Sequence, residues 1–356
     1  MKTALFLILL FPCFISHAQD SPVAYLSAHH YSFTLEKGFE GPLADTLHAR
    51  LTPYRLILQA EGGSHFLTIY ERLELDWLIF LHERMGVTHF IGELGVSNAV
   101  LVNKYLETGD RAVYPFHKIK FLDGLRQYNQ QLPAGQQLVL TGVDFERPGT
   151  YIRGLKLLLP EQVPPQPISD AIGLIRQAPD SGYDCDGTLR FNHRLKQALA
   201  DHEQDFKAYL GSAAYADFEK IVRNNGSCKD HLLNRNGHMA ENFLALDREI
   251  TAPVYYGEFG MAHTILKNHR LLASIINDSA PFKNKVAVIN LYCYNCTTPE
   301  EGASNWALNG IEKDILRYFL PLCEGDFTLF DLSGSDPVVA PYRAYGQFLI
   351  VAKGQD

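Results

Sequence analysis

Two hydrophobic periods alternate along this chain. Leu56-Ile-Leu-Gln-Ala60 is a short apolar run that leads into Glu61-Gly-Gly-Ser-His65. A run of that length, closed by turn residues, predicts a strand. Phe66, Ile69, Tyr70, Leu73, Trp77, Phe80 and Leu81 then recur three and four apart. That spacing is one face of a helix, which Gly86 ends. Val87-Thr-His-Phe-Ile91 predicts a second strand, running into Gly92-Glu93. A helix from about Ser97 to Glu107 follows, with Ser97 expected as its N-cap. After a further helix, Gln137-Leu-Val-Leu-Thr141 predicts a third strand, ending in Gly142-Val-Asp144. Strands alternating with helices imply an α/β fold, with a mostly parallel sheet flanked by helices.

The pattern changes at Pro160–Pro167, which contains four prolines. Ile168–Ile175, Leu195–Leu210 and Met239–Leu246 carry helical spacing, and residues 161–234 read as a helical insertion. Strand-like runs return at Pro253–Tyr256, Val286–Leu291, Phe327–Phe330 and Phe348–Val351. No repeat or low-complexity segment interrupts them.

Composition narrows the class. The chain has 356 residues, 46% hydrophobic and 20% charged, with a net charge of −8. It has no basic stripe, so nucleic acid is not expected as a partner. Lys2, an apolar stretch from Ala4 to Ile15, and Ser16-His-Ala18 read as a secretory signal peptide cleaved after Ala18. The apolar stretch is shorter than the roughly 20 residues of a membrane span. Export to the periplasm or medium is therefore expected, with no stable membrane insertion afterwards. Five cysteines follow, at 185, 228, 293, 296 and 323. Cys185 and Cys228 lie in polar loops and suit a disulfide. Cys293-Tyr-Asn-Cys296 has no second pair to complete a zinc site.

Candidate chemistry concentrates after the strands. In a parallel sheet, ligands bind beyond the carboxyl ends of the strands. Glu61, His65, Glu93, Asp144, Glu258 and His263 fall at those ends. His65 opens a helix beside two glycines. The helix terminus disfavours its protonated form and a carboxylate such as Glu93 favours it, a balance that suits a general base. A structural histidine is the plainer reading of His65 or His263 taken alone. Glu93 follows an apolar strand, and its plainer role is an ion pair with Arg235. Other motifs fail. His82-Glu83 meets Gly86 where a zinc helix needs histidine. Gly95-Val-Ser-Asn-Ala99 resembles a nucleophile elbow on Ser97, but a helix cap explains that serine more simply. There is no phosphate-binding or dinucleotide fingerprint.

These motifs resemble the erythromycin esterase-like family, from about residue 54 to 353. Ala60-Glu-Gly-Gly-Ser-His65 is similar to its Gly-Glu-x-x-His, and Phe90-Ile-Gly-Glu93 to its second strand. Val102-Asn-Lys-Tyr105, Gly142-Val-Asp144, Arg235-Asn-Gly-His-Met-Ala-Glu-Asn242 and Met261-Ala-His-Thr264 follow in the family's order. Tyr345–Lys353 resembles its closing strand. The resemblance implies metal-independent hydrolysis of an ester or lactone, with no cofactor and a small-molecule substrate. His65 would activate water, and Glu93 would orient the base or the water; Glu61 is a further catalytic candidate, able to take the place of the family glutamate only if the turn bulges. Arg235 and His263 would stabilise the oxyanion. Asp144, and Glu258, which has no counterpart in the family, are the candidates for substrate binding from their places at the strand ends. Two positions depart. The family glutamate aligns with Gly62, one place from Glu61, and its second histidine with Leu266. A binding protein without turnover, and a metal site built from His65, His263 and the carboxylates, are the two alternatives.

Overall fold

The computed structural model describes residues 22–34, 38–61, 68–114, 118–224, 231–250, 252–298, 302–306 and 311–354. Among these residues nine strands form one sheet: β1 (His30–Phe33), β2 (Leu56–Glu61), β3 (His89–Gly95), β4 (Val139–Asp144), β5 (Tyr255–Gly260), β6 (Val286–Thr298), β7 (Gly302–Trp306), β8 (Phe327–Asp331) and β9 (Phe348–Lys353). The order is β1-β8-β9-β6-β2-β5-β3-β4, with β7 paired to β6. From β9 to β4 every pairing is parallel. β8 joins β9 antiparallel, β1 joins β8 antiparallel, and β7 joins β6 antiparallel. The expected fold class is the observed one, a mostly parallel sheet flanked by helices. β1 and β7 carry no clear alternation and were not expected.

β2 is central and buried along its whole length. Its side chains alternate between faces, as the two-residue period requires. Leu56, Leu58 and Ala60 pack with Met239, Phe243 and Ile276 on one face. Ile57 packs with Trp77, Tyr256 and Leu125 on the other, beneath the helices Thr68–Met85 and Ile119–Asn129. Between β4 and β5 the helices Ser169–Gln177, Cys185–Asp201, Glu203–Leu210 and Ser212–Asn224 share a separate core with the helix Pro148–Leu158. The run expected as one helix over Leu195–Leu210 breaks at His202. No helix among the described residues is long and apolar enough to cross a membrane.

β4 is an edge strand, and its outer hydrogen-bonding groups need partners. Asparagines supply them. Asn129 donates to the Leu138 carbonyl at 2.9 Å and accepts from its amide at 2.8 Å. Asn103 treats Leu140 the same way, at 2.8 and 2.9 Å. Asn242 and Asn224 donate to the carbonyls of Val143 and Asp144, each at 2.8 Å. A carboxamide offers the donor and acceptor of a peptide unit, so Asn129 and Asn103 each stand in for a piece of missing strand, and Asn242 and Asn224 supply donors alone. At the other edge of β4 the approach of β3 is close. A Cβ on Gly142 would lie 2.3 Å from the Gly95 carbonyl oxygen.

Asn129→Ala strands the buried amide and carbonyl of Leu138. The variant should lose about 2–4 kcal/mol of unfolding free energy, read from its denaturant midpoint. A loss below roughly 0.5 kcal/mol, the scatter of neutral substitutions, would contradict this account of the edge.

Candidate functional site

The parallel strands bring their carboxyl ends to one edge of the sheet. Glu61 is the last residue of β2 and Asp144 the last of β4. Glu93 and Glu258 lie inside β3 and β5, because both strands run further than their apolar cores predict. Two ionic clusters form there.

Arg235 organises the first. It belongs to the helix His231–Ile250, whose backbone leaves helical geometry at Asn234, immediately before it. Its Nε donates to Asp144 Oδ1 at 3.0 Å, and Nη2 donates to Asp144 Oδ2, a fork that fixes the guanidinium plane. Nη2 also donates to Glu93 Oε1 at 2.6 Å. The opposite Glu93 oxygen, Oε2, accepts from the Gly260 amide at 2.7 Å. Burial alone would push the Glu93 carboxyl up. The hydrogen bond and charge of His263, the Gly260 amide and Arg235 outweigh it and hold Glu93 down at about 2.

His263 completes this cluster. Its Nδ1 lies 2.7 Å from Asn236 Oδ1. That oxygen also accepts from the Leu272 amide at 3.1 Å, so it acts as an acceptor and Nδ1 carries a proton. Nε2 is left facing Glu93 Oε1 and Arg235 Nη1, each 3.4 Å away. A ring held this way can accept from Arg235 when neutral and donate to Glu93 when charged.

Lys118 organises the second cluster. Its ammonium lies 2.5 Å from Glu61 Oε1, 3.0 Å from Glu74 Oε1, and in contact with Glu258 Oε1. All three carboxyl groups are buried. Three carboxylates around one ammonium leave excess negative charge in a dry place. Burial accordingly pushes Glu74, on the helix Thr68–Met85, up to about 8, despite the opposing attraction of Lys118. The Lys118 ammonium is raised above its ordinary range by Glu74 and Glu61, which outweigh its own burial.

Both clusters border one cavity of about 360 Å³, at the small end of the usual range for ligand sites. Glu61, Glu93, Glu258 and Lys118 line it beside Phe90 and Phe259, and Arg147 stands among its lining residues. Arg235 and His263 reach it through Glu93. A larger cavity, about 680 Å³, runs along β4. Two pairs of its charged residues neutralise each other, Lys104 with Glu107 and Lys220 with Glu249. It holds no comparable convergence of groups.

The expected residues therefore divide. Glu93, Asp144, Arg235 and His263 come together, and Glu61 and Glu258 come together beside them. His65 lies outside the described residues. The pairing of Glu93 with Arg235 is present. Lys118, Glu74 and Asn236 escaped the sequence reading. Lys118 follows no strand, Glu74 sits mid-helix, and Asn236 is one of several polar residues around Arg235. Ser97 is not an N-cap. Gly95 holds that position, and Ser97 is buried, with its amide and hydroxyl donating to Glu146. An enclosed hydroxyl so engaged is not an exposed nucleophile. Cys293 is disulfide-bonded, Cys323 is a buried free thiol, and Cys228 lies outside the described residues.

No protein-family model and no curated protein matches this chain. Solved structures do share its fold. A Bacillus cereus protein superposes with a TM-score of 0.63 and 14% identity, covering 93% of this chain and 96% of its own. An erythromycin esterase in its open conformation gives 0.63 and 12%, covering 90% and 97%. A succinoglycan biosynthesis protein gives 0.67 and 11%, covering 95% and 97%. At such identities the likeness shows the fold, which is that of an erythromycin esterase-like protein.

The depressed Glu93 carboxyl makes a signed prediction. Its folded value of about 2 lies below the ordinary 4.5, so ionised Glu93 adds stability above pH 4.5. That contribution is lost as the pH falls from 4.5 towards 2. Glu93→Gln should cost about 3 kcal/mol at pH 7 and progressively less below pH 4.5, in denaturant titrations across that range. A cost independent of pH would contradict the assignment.

Proposed function

We propose that this chain is an exported hydrolase that cleaves an ester or lactone with a histidine-activated water and no metal. One observation carries the reading. At the carboxyl edge of the sheet, Asn236 holds His263 by Nδ1, and Nε2 faces Arg235 and Glu93, the member of this cluster that lines the cavity. A histidine fixed at one nitrogen and open at the other, between an anion and a cation, suits charge that develops on a substrate oxygen. The shared fold with an erythromycin esterase supports the same class of chemistry.

In this reading His65 takes a proton from water as the oxygen attacks the ester carbonyl carbon. The carbonyl electrons move to oxygen, and the resulting oxyanion is stabilised by Arg235 Nη1 and by the Nε2–H of His263 in its charged form. The fork to Asp144 occupies Nε and Nη2 and leaves the Nη1 edge turned towards His263. Collapse of the intermediate expels the alkoxide, which takes up the proton that His65 removed from water. Glu93 orients this machinery, and Glu61, Glu258 and Asp144 shape the substrate's surroundings. The amino-terminal segment, residues 1–18, directs export and is then removed.

Leu266 favours a second reading, binding without turnover. It occupies the place of the family's second histidine and packs partly buried against the core around Met239 and Phe243. It therefore offers no proton-transfer group. A ligand retained through purification and unchanged on incubation, detected by mass spectrometry, would support this reading.

An ester and lactone panel tests the proposal on wild type, His65→Ala and His263→Ala. Wild type should turn over at least one substrate, and each variant should lose at least about a hundredfold in kcat with its circular dichroism unchanged. Turnover preserved in both variants would overturn the proposal. Asn236→Ala should lower kcat by about tenfold or more with little change in KM, because it releases the His263 ring without removing a binding group.

A further inference from the structure

Lys118 occupies an expensive position. Its backbone is left-handed, with φ +60°, a conformation uncommon for residues other than glycine. The two other non-glycine residues with positive φ among those described are asparagines, which tolerate it. Lys118 also precedes the first residue of the helix Ile119–Asn129, where the helix dipole disfavours a cation. Its ammonium is drawn out of water among three carboxyl groups from three separate elements, β2, β5 and the helix Thr68–Met85. Strain of this kind persists where the surroundings over-determine it. Here the surroundings are the three carboxylates, each contributing an oxygen within 4.8 Å of the others, a spacing that suits a single metal ion.

We infer that Lys118 is a tethered cation, standing where a divalent ion would stand among Glu61, Glu74 and Glu258. It acts as a positioning residue, fixing the Glu61 end of the cavity. Glu61 and Glu258 lie on adjacent parallel strands, and without a cation between them their charges would repel in a low-dielectric place. The ammonium joins both to Glu74 and closes the helix Thr68–Met85 onto the sheet. A covalently carried cation is present in every molecule, independent of metal supply. The inference deepens the metal-independent reading proposed above, but its test does not depend on turnover.

The test is Mn²⁺ binding, measured by electron paramagnetic resonance and by thermal shift on wild type, Lys118→Met, Lys118→Arg, and Lys118→Met with Glu258→Gln. Lys118→Met should bind one Mn²⁺ at least about tenfold more tightly than wild type, with a saturable rise in Tm. Lys118→Arg, which keeps the charge, should bind no better than wild type, and adding Glu258→Gln should abolish the gained site. A folded Lys118→Met that gains no Mn²⁺ site would overturn the inference. So would wild type binding Mn²⁺ equally well in a Glu258-dependent way. Failure of Lys118→Met to fold at any Mn²⁺ concentration would also overturn it, because a divalent ion would then not replace the ammonium. Absence of any esterase activity would remove the functional proposal and leave these outcomes intact.

Discussion

The edge of the sheet is held by one guanidinium. Arg235 forks onto Asp144 at the end of β4, reaches Glu93 on β3, and lies beside His263 just after β5. Four segments far apart in the chain therefore meet at a single planar cation. Its fork geometry matters, because lysine would hold one carboxylate without setting a plane. Removing one partner from such a half-buried network leaves uncompensated charge, a loss commonly of about 3–5 kcal/mol. The same network sets the direction of the His263 ring, so the stability of the edge and the chemistry proposed for it have one origin.

Around that cation the protein divides its polar work by position. The interior of the sheet is apolar on both faces through Leu56, Ile57, Leu58 and Val288. Glu61, Glu93, Asp144 and Glu258 stand towards the carboxyl ends of the parallel strands, and there each is paired. Lys118 neutralises the β2–β5 side and Arg235 the β3–β4 side. The outer edge of β4 is closed by neutral amides instead. The backbone there needs a donor and an acceptor, and a carboxamide supplies both.

Much of this was legible from residue order. The central strands announce themselves as apolar runs, and the helix over Thr68–Met85 as a three-and-four repeat, because burial on one or both faces imposes those periods. The polar residues directly after those runs gathered as the topology of parallel strands requires. The rest depended on contacts that no local period encodes. β1 and β7 pair antiparallel at the periphery, so their composition is mixed. Ser97 looks like a helix cap in sequence, yet the capping carboxylate comes from Glu146, 49 residues later. Lys118 reaches Glu258 across 140 residues. Asn103 sits in a motif that points to function, and its amide serves the strand edge.

The central claim is that the edge network fixes His263 with its proton on Nδ1 and leaves Nε2 turned to Glu93 and Arg235. Nitrogen-15 NMR of protein labelled at histidine tests it most directly. The account predicts a one-bond proton correlation at Nδ1 of His263, lost or exchanged between tautomers in Asn236→Ala. A neutral His263 ring protonated at Nε2 in the wild-type protein would contradict it.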